Sequence, residues 1–230
     1  MKRTIKDTMD ESNNISDLVI YKNNQLLAIN KKPGMSAQPD KTESVSVLQL
    51  AEIYCKHPVH LVHRLDRPAS GVILFAKNKK ALANLNLQFK NKTVSKVYWA
   101  LVKNKPEKPE GTLTHFLKKN GKTNKAEIVA EGTKDAKEAI LHYKTLSESD
   151  NYTLLEVELV TGRFHQIRAQ LAAIGCPIKG DVKYGFRRSN PDRSIHLHAR
   201  SISFDHPVTG ERVTIEANPP EGDPVWGATT

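Results

Sequence analysis

Apolar residues in this chain come in short runs whose spacing changes from segment to segment. Leu18-Val19-Ile20-Tyr21 and Leu26-Leu27-Ala28-Ile29 flank Asn23-Asn24, which predicts a hairpin with a polar turn. Val72-Ile73-Leu74-Phe75-Ala76 is continuous and rich in branched side chains, the pattern of a buried strand, with Gly71 marking a turn before it. Val94 to Val102 alternates, putting Val94, Lys96, Tyr98, Ala100 and Val102 on one face. Further strands are expected over 139–146, 152–160, 195–204 and 211–215, and short ones within 112–131 around a polar turn at 118–124. Three segments carry helical spacing: 47–55, 79–89 with Leu82, Leu85 and Phe89, and 161–175 with Thr161 as N-cap and Gly175 as its end.

Strands alternate with isolated helices, and most strand connections are short. That order predicts an α+β fold with a mixed, largely antiparallel central sheet and flanking helices. The expected organisation is a flexible lead-in over 1–17, one folded unit over 18–217 and a tail over 218–230. No run approaches the ~18 apolar residues of a membrane helix, and Met1 to Asp17 lacks the apolar stretch of a secretory signal, so the expected location is the cytoplasm. Cys55 and Cys176 form no metal-binding pair and are expected as reduced, buried thiols. Thirty-five Lys and Arg against twenty-five Asp and Glu leave a net charge of +10, which favours a polyanionic partner, nucleic acid first.

The stretch from His63 to Gly71, His-Arg-Leu-Asp-Arg-Pro-Ala-Ser-Gly, asks for more than a fold needs. Asp66 sits between two cations, Arg64 and Arg67, on a loop stiffened by Pro68. An ionised carboxylate so placed suits a nucleophile or a base. Structural ion pairing with Arg64 or Arg67 is the commoner use of such a residue, and this stretch alone favours it. In the helix after Thr161, Phe164, Ile167, Leu171 and Ile174 form the core stripe, with His165, Gln166 and Ala169 turned toward solvent. Arg168 falls roughly 80° from the stripe centre at one edge, with Arg163 and Gln170 along the other. Either arginine could hold Asp66 through a bidentate fork, and helical geometry does not choose between them. Tyr98 reads as a packing aromatic. The histidines show no metal-ligand spacing, so no metal site is expected, and no glycine-rich phosphate loop of P-loop or dinucleotide type occurs.

These motifs together resemble the RluA family of RNA pseudouridine synthases. His63 to Gly71 resembles its signature, Asn30-Lys31-Lys32-Pro33-Gly34 its first motif, and Lys96-Val97-Tyr98-Trp99-Ala100 its Lys-x-Tyr-x-Ala strand. Thr161 to Arg168 resembles the third motif, continued by Ile174 to Asp181 and Tyr184-Gly185. Leu197-His198-Ala199 and His206 to Gly210 match the C-terminal strand and turn, so the likeness runs in order from about Leu18 to Ile215. Ala69 and Phe164 stand where the family commonly has Thr, which touches loop bonding and packing. Many relatives carry an N-terminal S4-type domain, and the lead-in is too short to be one.

The resemblance implies a cofactor-free isomerase that converts a uridine of structured RNA, ribosomal or transfer, to pseudouridine after flipping it out of the stack. It implies Asp66 as the catalytic carboxylate, Arg168 salt-bridged to it, and Tyr98 packing on the target base. Arg64 would enter the RNA, with His63, Arg67, Lys32, Lys96, Arg163 and His165 as further candidate RNA contacts. The alternative from another class is an RNA-binding protein that keeps the fold without chemistry. A nucleoside hydrolase is disfavoured because no motif supplies the second carboxylate a retaining glycosidase uses.

Overall fold

The computed structural model describes residues 15–40 and 44–228. In chain order the elements are helix α1 (Ile15–Leu18), strands β1 (Val19–Lys22) and β2 (Leu26–Lys31), helix α2 (Val47–Cys55), strands β3 (His60–Leu61) and β4 (Ser70–Ala76), and helix α3 (Lys79–Lys90). Strands β5 (Ser95–Val102), β6 (Glu110–Asn120), β7 (Lys125–Val129), β8 (Lys137–Glu148) and β9 (Thr153–Leu159) follow. Helix α4 (Gln166–Ala173), a 3-10 turn (Val182–Tyr184), strands β10 (Leu197–Asp205) and β11 (Arg212–Glu216), and helix α5 (Pro224–Gly227) complete the described chain.

The strands form one mixed sheet along the path β1-β2-β4-β10-β5-β9-β8-β6-β7, with β11 on β10 and β3 on β4. Every pairing is antiparallel except β4 with β10. The α+β expectation is met. Two adjacent strands explain how one sheet serves two cores. On β2 and β4, Leu27, Ile29, Ile73 and Phe75 face one cluster with α2 and α4, while Leu26, Ala28, Val72 and Leu74 face the other with Leu85 of α3. The period of two in a strand puts alternate residues into opposite layers, so a strand buried on both sides must be apolar throughout.

Helix α2 begins at a capping box, in which Ser46 accepts from Gln49 N while the Gln49 side chain accepts from Ser46 N. Gly71 departs from the sequence reading. It lies inside β4 at φ +111°, and a Cβ there would stand 2.3 Å from the Ala199 carbonyl oxygen. Glycine lets β4 and β10 approach in their parallel pairing at the root of the Asp66 loop.

Several boundaries also move. α4 starts at Gln166, and Thr161 is not its N-cap; that position is His165, in left-handed backbone at φ 50° and ψ 27°. Nor do Gln166 and Ala169 face solvent as expected: both are buried, and Gln170, expected at the edge of the core stripe, is buried with them. Gln166 Nε2 donates to Ile140 O, and Gln170 Nε2 donates to Leu113 O and Ala139 O, so the helix packs polar side chains onto strand carbonyls. Cys55 is half-buried while Cys176 is fully buried, and both are free thiols. α1 begins within the stretch read as a lead-in and buries Ile15 and Leu18; residues 1–14 of that stretch lie outside the described part. Within the stretch read as a tail, α5 buries Trp226 against Leu101 and Leu154. No helix among the described residues is long and apolar enough to cross a membrane.

Candidate active site

The Asp66 loop connects β3 to β4 and is pinned on both flanks. The Arg67 carbonyl accepts from Gly34 N at 2.9 Å and from Lys31 Nζ at 3.1 Å, the Pro68 carbonyl accepts from Ile195 N, and Ala69 N closes a turn onto the Asp66 carbonyl. Leu65 and Ala69 anchor in the core on either side of Asp66. Lys31 is wholly buried, its ammonium donating to the carbonyls of Lys32, Met35 and Arg67. Burial pulls its pKa down to about 7, with Asp66 pulling it up and Arg67 down. Sequence reasoning chose its neighbour Lys32, which is exposed on that loop and does not line the cleft described below.

Asp66 meets two partners from the third motif. Arg168 Nη1 donates to Asp66 Oδ2 at 2.9 Å, and His165 Nε2 lies 3.7 Å from the same oxygen. Of the two arginines left open by helical spacing, Arg168 is the partner; Arg163 instead donates Nε to the Glu138 carbonyl. The bidentate fork, however, is not made with Asp66. Arg168 Nε and Nη2 grip Asp181 Oδ2 and Oδ1 at 2.7 and 2.8 Å, and Asp181 is 1% exposed. Burial would lower the arginine's pKa, but the Asp181 bonds and charge, with Asp66 behind them, hold it above its ordinary value. Two carboxylates thus share one guanidinium: Asp181 aims it, and Asp66 takes its remaining donor. Asp66 Oδ1 carries no hydrogen bond among the described residues.

Asp181 was missed. It stands in a tight glycine turn, and only its separation of 13 residues from Arg168 in the same matched motif hinted at a pairing. A loop carboxylate has no periodicity from which to read a partner.

Tyr98 comes from β5 on the face of Ala100 and Val102, and it lines a 110 Å³ cavity with Asp66, Arg168, Leu159 and Leu197. Its burial, and then the charge of Asp66, raise the phenol's pKa, so it stays neutral. This cavity shares Arg64, Asp66, Tyr98 and Arg168 with a cleft of 820 Å³, within the size range of ligand sites. His63, Arg64, Arg67, Lys96, Arg163, His165 and Arg168 line the cleft with Lys183, against the carboxylates of Asp40 and Asp66. That excess suits an anion. The individual groups differ. Arg64 is exposed at the mouth, and Arg67 donates Nε to the Gly34 carbonyl with Nη1 3.6 Å from Asp40. His63 accepts from Leu74 N, and burial followed by the Lys96 charge lowers its pKa to about 3, so it is a neutral packing group. Burial lowers the pKa of Lys96, whose ammonium lies 5.7 Å from the Phe89 ring centroid. No cluster of metal-ligating side chains occurs among the described residues.

Comparison with known proteins agrees with this geometry. Residues 25–173 match the family model described as RNA pseudouridylate synthase. The chain is 35% identical over 202 residues to an uncharacterized RNA pseudouridine synthase of Mycoplasma pneumoniae, covering 86% of this chain and 65% of that protein. It is 35% identical to the uncharacterized RNA pseudouridine synthase YlyB of Bacillus subtilis (88% and 69% covered). It is equally identical to ribosomal large subunit pseudouridine synthase C of Rickettsia prowazekii (90% and 69% covered). The chain thus spans about two thirds of the length of these relatives. In fold it is similar to human RNA pseudouridylate synthase domain containing 4 and domain containing 1, each with TM-score 0.73 at 24% identity, covering 90% and 91% of this chain and 90% and 86% of those chains. With the signature loop, the Tyr98 strand and the Arg168 helix converging on one cleft, the chain belongs to the RluA family of RNA pseudouridine synthases.

Proposed function

We propose that this protein isomerises a uridine of structured RNA, ribosomal or transfer, to pseudouridine in the cytoplasm, with Asp66 as the reacting carboxylate. The observation that carries this reading is the asymmetric bonding of Asp66. One oxygen is fixed by Arg168, the other is unbonded, and the side chain is 25% exposed in a cavity walled by Tyr98. A protein that only bound RNA would have no use for a buried arginine shared by two carboxylates, an arrangement costly in desolvation.

The basic cleft holds the backbone by phosphate contacts without reading sequence. Extruding the target nucleotide costs a few kcal/mol of stacking and pairing, and Arg64 at the mouth fills the vacated space. The uracil then lies against Tyr98, and Asp66 Oδ1 faces the ribose. Attack on C1′ and removal of the C2′ proton both release the base from C1′ and both need an ionised carboxylate, which Arg168 secures by charge and geometry. The N1–C1′ bond breaks, the ring turns over against Tyr98, C5 bonds to C1′, and the C5 proton is exchanged for one at N1, so composition is unchanged. The large-subunit target named for the Rickettsia relative makes ribosomal RNA the first substrate to try. Carbodiimide mapping of total RNA from cells with and without the gene tests the proposal. A uridine that loses its reactive adduct on deletion supports it, and an identical map contradicts it.

A further inference from the structure

His165 stands out in the site. Its backbone is left-handed at φ 50° and ψ 27°, a conformation that β-carbon sterics disfavour, and its side chain makes no capping bond to α4. Non-glycine residues held this way cluster at functional sites. Its ring, only 8% exposed, is held by two side chains: Phe164 stacks on it at 3.8 Å between centroids, and Tyr184 meets it edge-on with Oη 2.9 Å from Nδ1.

The bonding of Tyr184 decides which ring nitrogen carries the proton. Its Oη already accepts from Ala126 N at 2.7 Å. The one hydroxyl proton has no other acceptor among the described residues, so Tyr184 donates to His165 Nδ1 and the imidazole proton sits on Nε2. Burial pushes Tyr184 up to about 12 and His165 down to about 4, the latter against the pull of Asp66, which keeps the hydroxyl protonated and the imidazole neutral. Nε2 points toward Asp66 Oδ2 at 3.7 Å, beyond hydrogen-bond range, and has no nearer acceptor among the described residues. The result is an uncharged donor, unspent and aimed into the cavity beside the reacting carboxylate.

We infer that His165 donates its Nε2–H to an oxygen of the bound uridine nucleotide, and that Tyr184 is a positioning residue that fixes the tautomer required. This role rests on the isomerase reading above. A neutral donor orients the nucleotide without adding a second cation to Asp66, whose charge is already matched by Arg168. Tyr184 also ties the donor to the β6–β7 hairpin through Ala126, so that hairpin's placement bears on the site.

The test has two arms. Long-range ¹⁵N–¹H spectra of imidazole-labelled full-length chain should show His165 as a single Nε2–H tautomer at neutral pH, and Tyr184→Phe should lose that single signature while keeping the fold. On total RNA from cells lacking the gene, His165→Leu should lower the saturated rate by about 10²-fold, the scale for losing one donor at a reacting centre. His165→Gln, whose amide N–H can reach the place of Nε2–H, should recover most of that rate. A wild-type spectrum with the proton on Nδ1 overturns the inference whatever the enzyme does on RNA. So does His165→Leu with an unchanged rate, or His165→Gln no better than His165→Leu. No pseudouridine from the unmodified chain would overturn the isomerase reading and the donor role with it, while the tautomer is judged by the spectrum alone.

Discussion

Asp66 and Asp181 share Arg168, yet their loss should have opposite signatures. Asp181 is 1% exposed and holds Arg168 by two bonds of 2.7 and 2.8 Å, with the arginine side chain 5% exposed. Asp181→Asn keeps the shape, but it sets an amide N–H₂ against an arginine donor and leaves a buried cation with a single carboxylate. Removing one partner of a buried pair costs about 3–5 kcal/mol. At 2–4 °C per kcal/mol for a chain of this size, the melting temperature should fall by roughly 6–20 °C. Asp66 is 25% exposed and takes one bond, which an asparagine oxygen can still accept, so Asp66→Asn should cost only about 1 kcal/mol. Turnover should follow the other order. Asp66→Asn should be inactive, whereas Asp181→Asn, where refolded material is measured, should retain a rate about 10²-fold down, because Arg168 loses the fork that aims it. Thermal and urea melts give one axis, and carbodiimide detection of pseudouridine gives the other. Asp181→Asn melting within about 2 °C of the parent, or Asp66→Asn destabilised as strongly, would refute this division of labour.

Three further outcomes follow from the same geometry. Gly71→Ala should destabilise by roughly 3–5 kcal/mol, because its Cβ meets the Ala199 backbone at 2.3 Å; a melt unchanged from the parent would contradict the close approach of β4 to β10. Lys31→Met should cost about 1–3 kcal/mol by taking the ammonium donor from the Lys32 and Met35 carbonyls, and it should lower turnover by leaving the Arg67 carbonyl held by Gly34 N without Lys31; full activity would show the Asp66 loop needs no such pin. Burial also holds His63, His165 and His198 neutral, with pKa values lowered to about 3, 4 and 4, so the unfolded chain binds more protons below its ordinary histidine pKa of about 6.5. Stability should therefore fall as pH drops from about 6.5 toward 4, with His198 alone contributing about 3 kcal/mol; urea midpoints flat across that range would contradict it.

Where one strand's own period settles the matter, the sequence was legible. The run 72–76 and the alternation around Tyr98 marked β4 and β5 because side-chain period maps onto layers. The signature around Asp66 and the choice of Arg168 were legible only through several motifs in order, since helix geometry left Arg163 equally placed. What stayed hidden depends on partners distant in the chain. Gly71 answers to Ala199, and Lys31 to a carbonyl 36 residues away. Asp181 answers to an arginine on another element. The third motif misled for a related reason: Gln166 read as turned toward solvent, yet it is buried because β8 offers it a carbonyl. Polarity predicts exposure only when no backbone acceptor waits inside.

The most direct measurement is pseudouridine formation by the parent chain and by Asp66→Asn, each incubated with total RNA from cells lacking the gene, with RNA binding measured in parallel. The parent should create a carbodiimide-reactive site without changing RNA mass, and Asp66→Asn should create none while binding the RNA with similar affinity. Equal conversion by the two proteins would contradict the assignment of Asp66 as the reacting group.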